Sequence, residues 1–401
     1  MKSSAATLAP SNVVENVTSF DYARAHALCV EKARRNIRRL ADRPVSGAFS
    51  PNGNYFAFPE GFFDIGNWSS SFFTGMALLA YETTHDPDLL KQVNRLGDVY
   101  RDKVTRHRMD TMHDLGFLYS LYSVALHRLT GDLDHRRTGL LAAEELAKRF
   151  SARGGYLQAW GRMDENTTDY AGLAIIDCLM NLPLLFWATR ETGNRYFHEI
   201  AVKHADTTRA NFIRADDSIC HAFRFDLKTG APVGPANCCG YAVNSHWARG
   251  TTWAIYGFAL AYRHTGDNAY LDASARLARK FVASLDDELV PCWDFRLPAD
   301  MPPLRDSSAA AIAVCGLDEL LTHRPDAALA ETAEALLQRL CTPSYLDANL
   351  DCPGVLRAGE VGDGPGHTPG TIKAKSVYTS WGDYYFMEAL DRRLHGPTGI
   401  W

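Results

Sequence analysis

LYSVALHRLTGDLDH (121–135), LLFWATRETGNRYFH (184–198) and IYGFALAYRHTGDNAY (255–270) are three copies of one pattern. In each copy an apolar helical stretch ends at Thr-Gly, an Asp or Asn follows, and a second helical stretch begins. Glycine adopts the left-handed conformation that ends a helix, and the Asp or Asn side chain caps the next helix. MALLAYETTHDPDLL (76–90) and AIAVCGLDELLTHRPDAAL (311–329) are variants with Asp-Pro or Arg-Pro-Asp in the turn. Five helical hairpins are therefore predicted.

The spacing of these hairpins indicates how they assemble. Their turns fall near residues 85, 131, 193, 266 and 325, so successive turns are 46, 62, 73 and 59 residues apart. Those intervals are too long and too uneven for a tetratricopeptide-type solenoid. Terminal helices predicted over 21–42 and 376–394 bring the total to about six pairs, which can close into an all-α (α/α)6 barrel, a six-hairpin toroid. An open α-solenoid is the alternative. We expect an N-terminal arm over 1–20 and a single barrel domain over 21–395.

Charge and apolar patterning exclude several classes of partner. The formal net charge is −5, and no basic block or basic–aromatic alternation is present, which argues against nucleic-acid binding. Charged residues or glycines interrupt every apolar stretch well before 18 residues, so no membrane span is predicted. Residues 1–20 lack the apolar core of a signal peptide, which favours a cytoplasmic protein.

The cysteines give the same indication and also bear on metal binding. There are nine, an odd number, with no Cys-x-x-Cys pair, which predicts reduced thiols in the cytoplasm. No set of His, Cys and carboxylate residues has the spacing of a catalytic zinc site, so no metal is predicted.

Tryptophans concentrate in the segments between the hairpins. Aromatic rings stack on the C–H faces of pyranose sugars while nearby polar groups bind the hydroxyls, so this concentration favours a sugar site. The alternative for any one of them is a place in the core. The six that lie in or beside these segments are Trp68, Trp160, Trp247, Trp253, Trp293 and Trp381.

Seven segments in order along the chain together resemble the unsaturated glucuronyl hydrolases, glycoside hydrolase family 88. The resemblance covers roughly residues 60–392. The segments are HDLGF (113–117), DYAGLAIIDCLMNLPLLFWA (169–188), HAFRFDLKTGAP (221–232), SHWARGTTWAIYGF (245–258), CWDFRLP (292–298), RDSSAAAIA (305–313) and WGDYYFMEAL (381–390).

The resemblance implies an (α/α)6 barrel without a metal or an organic cofactor. It also implies action on the Δ4,5-unsaturated uronic acid that a polysaccharide lyase leaves at the non-reducing end of an oligosaccharide, as in glycosaminoglycan breakdown. Two alternatives stay open: an unsaturated rhamnogalacturonyl hydrolase acting on pectin fragments, and a non-catalytic sugar-binding toroid. The substrate is a vinyl ether, so its hydration needs an acid that later serves as a base.

Two aspartates are the candidate catalytic residues. Asp177 lies in an apolar stretch that we interpret as helical, where burial raises a carboxyl pKa toward neutrality and suits an acid–base group. Its alternative is a structural Asp bonded to the backbone or to Asn181. Asp114 is the second carboxylate, expected to hold ring hydroxyls and to tune Asp177. Its alternative is a helix N-cap before Leu115.

The substrate-binding candidates follow from the same resemblance. His113 and His221 are expected around the uronate, or else are satisfied structural imidazoles. Arg249 and Trp253 are four residues apart, so they share a helix face. Arg249 would bind the uronate carboxylate and Trp253 would stack on the ring, the alternative being a cation–π pair that serves only the fold. Trp68 and Trp160 match positions that line the family's pocket.

Two loops bear on the leaving sugar. Cys239 stands before Gly240-Tyr241 where the family commonly has Gln, and a thiol cannot supply an amide's donors and acceptor. The residues Thr368, Thr371 and Lys373 resemble the Ser/Thr-x-x-Ser-x-Lys pattern with which some family members bind a sulfate. A solvated Gly/Pro loop is the alternative.

Overall fold

The predicted helical hairpins are present in the computed structural model, which describes residues 21–41, 48–55, 61–165, 169–361 and 375–401. Gly131 ends one helix at φ 71°, and the Asp132 side chain accepts a hydrogen bond from the backbone N–H of Asp134. The turns at Gly193 and Gly266 repeat this geometry, with Asn194 and Asp267 as the capping residues. The predicted arm over 1–20 and the residues Thr368, Thr371 and Lys373 lie outside the described residues.

The helices alternate between an inner and an outer layer. The inner members are α2, α5 with α6, α8, α10, α12 and α14, whose residues are buried on nearly every side. A π-helical turn over Ser120–Val124 joins α5 to α6. In chain order the helices are α1 (Tyr22–Ala41), α2 (Ser70–Thr84), α3 (Pro87–Asn94), α4 (Gly97–Thr105), α5 (Leu115–Tyr119), α6 (Ala125–Thr130), α7 (Leu133–Lys148), α8 (Leu182–Thr192), α9 (Arg195–Phe212), α10 (Ala248–Thr265), α11 (Asn268–Val282), α12 (Ser307–His323), α13 (Ala327–Leu340) and α14 (Ser380–His395).

Contacts between the inner helices close the ring. Helix α2 packs on α5, α5 on α8, α8 on α10, α10 on α12, α12 on α14, and α14 returns to α2. The outer helices cover the ring, and α1 bridges the seam because it packs on both α2 and α14. The (α/α)6 barrel is confirmed, and an open solenoid is excluded because the last inner helix contacts the first.

Short strands occupy the long connections before the inner helices. Two of the three small sheets have antiparallel pairs that join distant parts of the chain: β1 pairs with β8, and β4 with β5. The strands are β1 (Phe49–Ser50), β2 (Phe150–Ser151), β3 (Tyr156–Leu157), β4 (Leu173–Ile175), β5 (Ala222–Phe225), β6 (Pro232–Ala236), β7 (Gly359–Val361) and β8 (Lys375–Thr379).

One interpretation of local structure is wrong. The apolar stretch around Asp177 is not a continuous helix: β4 is followed by a 3-10 turn over Ile176–Asn181, and α8 begins only at Leu182. A short apolar run is compatible with strand or helix, and pairing with β5 decides for the strand. Asp177 therefore lies in a tight turn where β4 leads into an inner helix.

None of the helices within the described ranges is both long and apolar enough to cross a bilayer.

Candidate active site

Asp177 is a largely buried carboxyl in the turn that follows β4. Its side chain is 14% exposed. Burial raises its pKa to about 7, although the positive charge of Arg249, backbone hydrogen bonding and the Trp253 side chain act in the opposite direction. Among the described residues, its Oδ2 atom has no hydrogen-bond partner. Asp177 can therefore carry a proton near neutral pH.

His221 presents a defined tautomer to Asp177. Its Nδ1 accepts hydrogen bonds from the backbone N–H groups of Cys238 at 3.0 Å and Cys239 at 3.1 Å. A ring nitrogen that accepts carries no proton, so in the neutral imidazole the proton is on Nε2. That Nε2 lies 3.7 Å from Asp177 Oδ2. The loop at Cys238–Cys239 thus turns a donor toward the candidate acid.

Asp114 occupies the N-cap position of α5 but forms no capping hydrogen bond with its side chain. It is 7% exposed, and its Oδ1 lies 3.2 Å from Nε2 of His113. Burial raises its pKa well above the usual range, the negative charge of Asp177 raises it further, and Arg149 and Lys103 lower it. The cap interpretation therefore does not describe its contacts, which are directed at the site.

Asn181 fixes the tautomer of His113 in the same way. Its Oδ1 accepts from the backbone N–H of Phe117 at 2.8 Å, which sets the orientation of the amide. Its Nδ2 then faces Nδ1 of His113 at 3.3 Å. His113 Nδ1 is the acceptor, so the Nε2 proton points at Asp114. Burial lowers the pKa of His113 well below its usual value, which keeps the ring neutral.

Asp177 and Asp114 therefore have similar surroundings, because each carboxyl faces the Nε2–H of a buried imidazole. A neutral donor stabilises a carboxylate far less than a guanidinium at contact would, so burial dominates the pKa of both groups. Two like-charged groups in one site also resist ionising together. The arrangement suits a pair of carboxyls that gives up a proton and takes one back during a reaction.

Arg249 is held by a buried network at the start of α10. Its Nη1 donates to the Asp306 carboxylate and to the backbone carbonyl of Glu360 at 3.1 Å. The guanidinium also lies over the rings of Trp247, at 4.7 Å, and Trp381, at 5.3 Å. Its charge reaches Asp177, whose pKa it lowers. The i,i+4 cation–π pair with Trp253 is not the one formed.

The candidate tryptophans have different environments. Trp68 and Trp160 are only partly buried, and Trp68 stacks on Trp381 with the ring centres 4.7 Å apart. Trp160 lies with its ring centre 6.0 Å from that of His221. Trp253 is fully buried against Phe117, and its side chain hydrogen bonds to the Asp177 carboxyl. Its place is beneath the site, not on an open face where a sugar ring could stack.

Sequence reasoning missed several groups that position these side chains. Arg149, 2% exposed, donates to the carbonyls of Thr111, Gln158, Ala159, Trp160 and Gly161, and so ties the His113 and Trp160 segments together. Asp306 and Glu360 hold Arg249 from distant parts of the chain. Asp306 had a local signal, since Asp before Ser-Ser at a helix start predicts the N-cap it forms.

Cys239 lies beside the candidate acid, partly buried, with its backbone rather than its thiol bonded to His221. Burial, followed by the charge of Asp177, raises the pKa of its thiol well above the usual range. Within the described residues, no three His, Cys, Asp or Glu ligand atoms of this site lie close enough to share a metal ion.

Comparisons with known proteins agree with this geometry. The sequence model of Glycosyl Hydrolase Family 88 matches residues 63–333. The unsaturated glucuronyl hydrolase of Bacillus sp. (strain GL1) is 35% identical over 377 residues, covering 92% of this chain and 95% of that protein. An unsaturated chondroitin disaccharide hydrolase of Streptococcus pyogenes serotype M1 is 37% identical over 338 residues, covering 82% of each chain.

A solved structure extends the likeness to three dimensions. The crystal structure of the unsaturated glucuronyl hydrolase from Bacillus sp. GL1, described as responsible for the degradation of glycosaminoglycan, superposes with a TM-score of 0.85 at 33% identity. The match covers 95% of this chain and 98% of that one. The fold, the family model and the relatives agree, and this chain belongs to glycosyl hydrolase family 88.

Proposed function

We propose that this enzyme hydrates the Δ4,5 double bond of an unsaturated uronic acid at the non-reducing end of a glycosaminoglycan-type oligosaccharide, and so releases that sugar. The observation that carries the proposal is the pair of buried carboxyls, Asp177 and Asp114, with raised pKa values and histidine donors as neighbours. A vinyl ether needs a proton donor that works near neutral pH, and Asp177 with a pKa of about 7 meets that need. The names of the relatives support the same substrate class.

The reaction needs one proton delivered and one returned. Protonated Asp177 gives its proton to C4, and the electron pair of the C4–C5 double bond forms the new C–H bond. The cation at C5 is shared with the ring oxygen. Asp177, now ionised, removes a proton from a water molecule that adds to C5. The resulting hemiketal opens and expels the remaining sugar, so the net change is addition of one water and cleavage of the glycosidic bond.

The ionised intermediate form of Asp177 needs support, which its neighbours supply. The His221 Nε2–H and the Trp253 indole face the carboxyl, and Arg249 lowers the free energy of its charged form. Asp114 would hold ring hydroxyls, with His113 donating to its Oδ1. Burial therefore keeps the proton on Asp177 before the reaction. The fixed donors then stabilise the negative charge of its carboxylate after the proton has been transferred.

Recognition of the uronate is assigned to the surrounding groups. Arg249 would bind the carboxylate, since its guanidinium is already oriented by Asp306 and Glu360. The partly buried rings of Trp68 and Trp160 would pack on sugar faces. Cys239 replaces an amide side chain common in the family, so the substrate would depend on backbone and histidine donors at that edge.

A separate group of residues would bind the sugar that follows the uronate. Thr368, Thr371 and Lys373 would bind a sulfate on it through hydroxyls and a charge-assisted bond. Lys373→Ala should then raise KM for a sulfated disaccharide by about tenfold, the equivalent of about 1.4 kcal/mol, and leave the unsulfated one nearly unchanged. Equal effects on both substrates would remove this role.

A panel of lyase products tests the function as a whole. The enzyme is assayed in parallel on unsaturated products of chondroitin, hyaluronan, heparin and pectin lyases, and the loss of the vinyl-ether absorbance is followed. We expect turnover of glycosaminoglycan disaccharides. Preference for the pectin product would indicate an unsaturated rhamnogalacturonyl hydrolase, and no turnover of any product would indicate a sugar-binding toroid.

The cytoplasm is the compartment we propose for this activity. All nine cysteines lie within the described residues and all are free, with five of them buried. Free thiols are usual in reducing compartments. The enzyme would then act on disaccharides that have already entered the cell.

A further inference from the structure

Two histidines and one aspartate meet at the seam where the barrel closes, far from the catalytic carboxyls. His26 lies on the outer helix α1, and Asp391 and His395 lie one turn apart on α14. One ligand atom from each of the three lies within 4.8 Å of the other two. The chain separates His26 from Asp391 by more than 360 residues, so no sequence spacing reveals the cluster.

The distances fit a tetrahedral metal ion. His26 Nε2 lies 3.5 Å from Asp391 Oδ1, and His395 Nε2 lies 3.9 Å from the same oxygen. A tetrahedral zinc ion with bonds of about 2.0 to 2.1 Å separates its ligand atoms by about 3.3 to 3.4 Å. The two histidine ligand atoms lie within 4.8 Å of each other, so side-chain shifts of up to about 1.4 Å would bring all three atoms into contact with one ion. A water molecule would supply the fourth ligand.

Two of these ligand atoms lack any other partner. His26 is 6% exposed and the Asp391 side chain is 10% exposed. Within the described residues, neither His26 Nε2 nor Asp391 Oδ1 forms a hydrogen bond. A buried polar atom without a partner destabilises the fold, and a bound cation would give both of these atoms a partner at once. The half-exposed His395 side chain leaves a route for the ion from solvent.

We propose that His26, Asp391 and His395 form a structural site for a divalent transition-metal ion, with zinc as the expected occupant. The site would connect the first helix of the barrel to the last, across the one junction of the ring that no chain connection closes. Asp391 and His395 follow Trp381 on α14 by 10 and 14 residues, about 15 and 21 Å along the helix axis. The ion would therefore stabilise the fold and take no part in the reaction.

Zinc binding to the stripped protein tests the site directly. The full chain is treated with EDTA, dialysed, and titrated with zinc chloride in a calorimeter. We expect one ion per chain in the wild type and a loss of affinity of at least about tenfold in each of His26→Ala and His395→Ala. His395→Ala is the decisive variant, since this side chain is half-exposed and we expect its removal to leave the core intact.

A matched variant controls for unspecific binding to imidazoles. His107→Ala removes a comparable, partly exposed histidine that lies 3.9 Å from a single carboxylate, Asp110, without a third ligand. It should bind zinc like the wild type. Equal affinity in wild type and His395→Ala would overturn the site and place the zinc on thiols or on surface groups. So would the absence of zinc binding at millimolar concentration.

Thermal unfolding separates this site from the reaction. Zinc at a hundredfold excess over its Kd should raise Tm of the wild type by about 3 °C and leave Tm of His395→Ala unchanged. His395→Ala should retain the kcat of the wild type. A Tm increase that persists in His395→Ala, or a kcat that depends on added zinc, would contradict a structural site. Zinc affinity and Tm are measured without substrate, so these two readouts do not depend on the proposed substrate assignment.

Discussion

Buried carboxyls occur at both ends of the inner helices, and their surroundings differ. At the N-terminal ends, Asp177 and Asp114 face histidines whose Nε2 atoms carry the proton. Toward the C-terminal ends, Glu388 receives Arg392 Nε at 3.1 Å, the Tyr256 hydroxyl at 2.6 Å and the Trp401 indole at 2.9 Å. The carboxyls at both ends are largely removed from solvent, but their partners differ: imidazoles at one end, and guanidinium, hydroxyl and indole groups at the other.

That difference distinguishes the candidate catalytic carboxyls from carboxylates that pair the helices. Glu319 accepts from Arg392 at 3.3 Å and from Arg263 at 3.1 Å, so the charge of this carboxylate is compensated by contact pairs. Carboxylates paired in this way hold neighbouring helices together. At the site, Arg249 acts on Asp177 from a distance because Asp306 and Glu360 already bind it. Asp177, the carboxyl that we propose as the acid, therefore has no guanidinium paired with it at contact distance among the described residues.

The largest effect on the reaction rate is expected from replacing the candidate acid. Asp177→Asn keeps the shape of the side chain but cannot release a proton to C4, so kcat should fall at least about a hundredfold. Steady-state rates of vinyl-ether loss measure it, and circular dichroism confirms that the variant is folded. A variant that keeps more than a tenth of the wild-type kcat would show that Asp177 is not the acid.

The corresponding change at the other end should affect stability and not rate. Glu388→Gln leaves the Arg392 charge with one carboxylate fewer in a fully buried site, which should lower the free energy of unfolding by about 3 to 5 kcal/mol. Denaturant titration gives this quantity, and kcat at a temperature where the variant is folded should match the wild type. If Glu388→Gln loses less than about 1 kcal/mol, contact pairing is not what distinguishes the two ends.

The parts of this comparison that sequence could predict are those set by local chemistry. The Thr-Gly-Asp turns predicted the helix ends at Gly131, Gly193 and Gly266, because left-handed backbone and capping depend on neighbouring residues. The total of about six helix pairs then favoured a closed (α/α)6 barrel. Asp177 and Asp114 were identified through the matched segments, and their assigned roles stay predictions.

The parts that sequence could not predict depend on contacts between distant segments. The i,i+4 spacing suggested Trp253 as the partner of Arg249, but Asp306 and Glu360, 57 and 111 residues away, hold its guanidinium. The helix expected around Asp177 is interrupted because β5 pairs with β4, which no local pattern encodes. The tautomers of His113 and His221 follow from donors supplied by other segments.

A pH series should reveal the cost of keeping Asp177 buried. Its pKa is about 7 in the folded protein against 3.8 for the ordinary group, so between these values the native state holds a proton that the unfolded state has lost. Stability from this group is therefore present below about pH 4 and falls as pH rises to about 7. Asp177→Asn removes this dependence, and its Tm advantage over the wild type should grow across that window by the equivalent of about 2 to 4 kcal/mol. A constant difference in stability between Asp177→Asn and the wild type at all pH values would contradict the raised pKa of Asp177.

The smallest effect is expected from a residue that acts through His113. Asn181 Nδ2 donates to His113 Nδ1, so Asn181→Asp replaces a donor with an acceptor while keeping the bond from Phe117 N–H. His113 must then hold a proton on Nδ1, either as a cation or as the other neutral tautomer, and the electrostatics at Asp114 change with it. We expect kcat to fall about tenfold, roughly 1.4 kcal/mol, and the descending limb of the pH–rate profile, near pH 7 in the wild type, to move.

Asn181→Ala removes donor and acceptor together and serves as the comparison, since it cannot force a proton onto Nδ1. A profile for Asn181→Asp that coincides with the wild type, whatever its rate, would show that Asn181 only packs the turn and does not set the proton on His113.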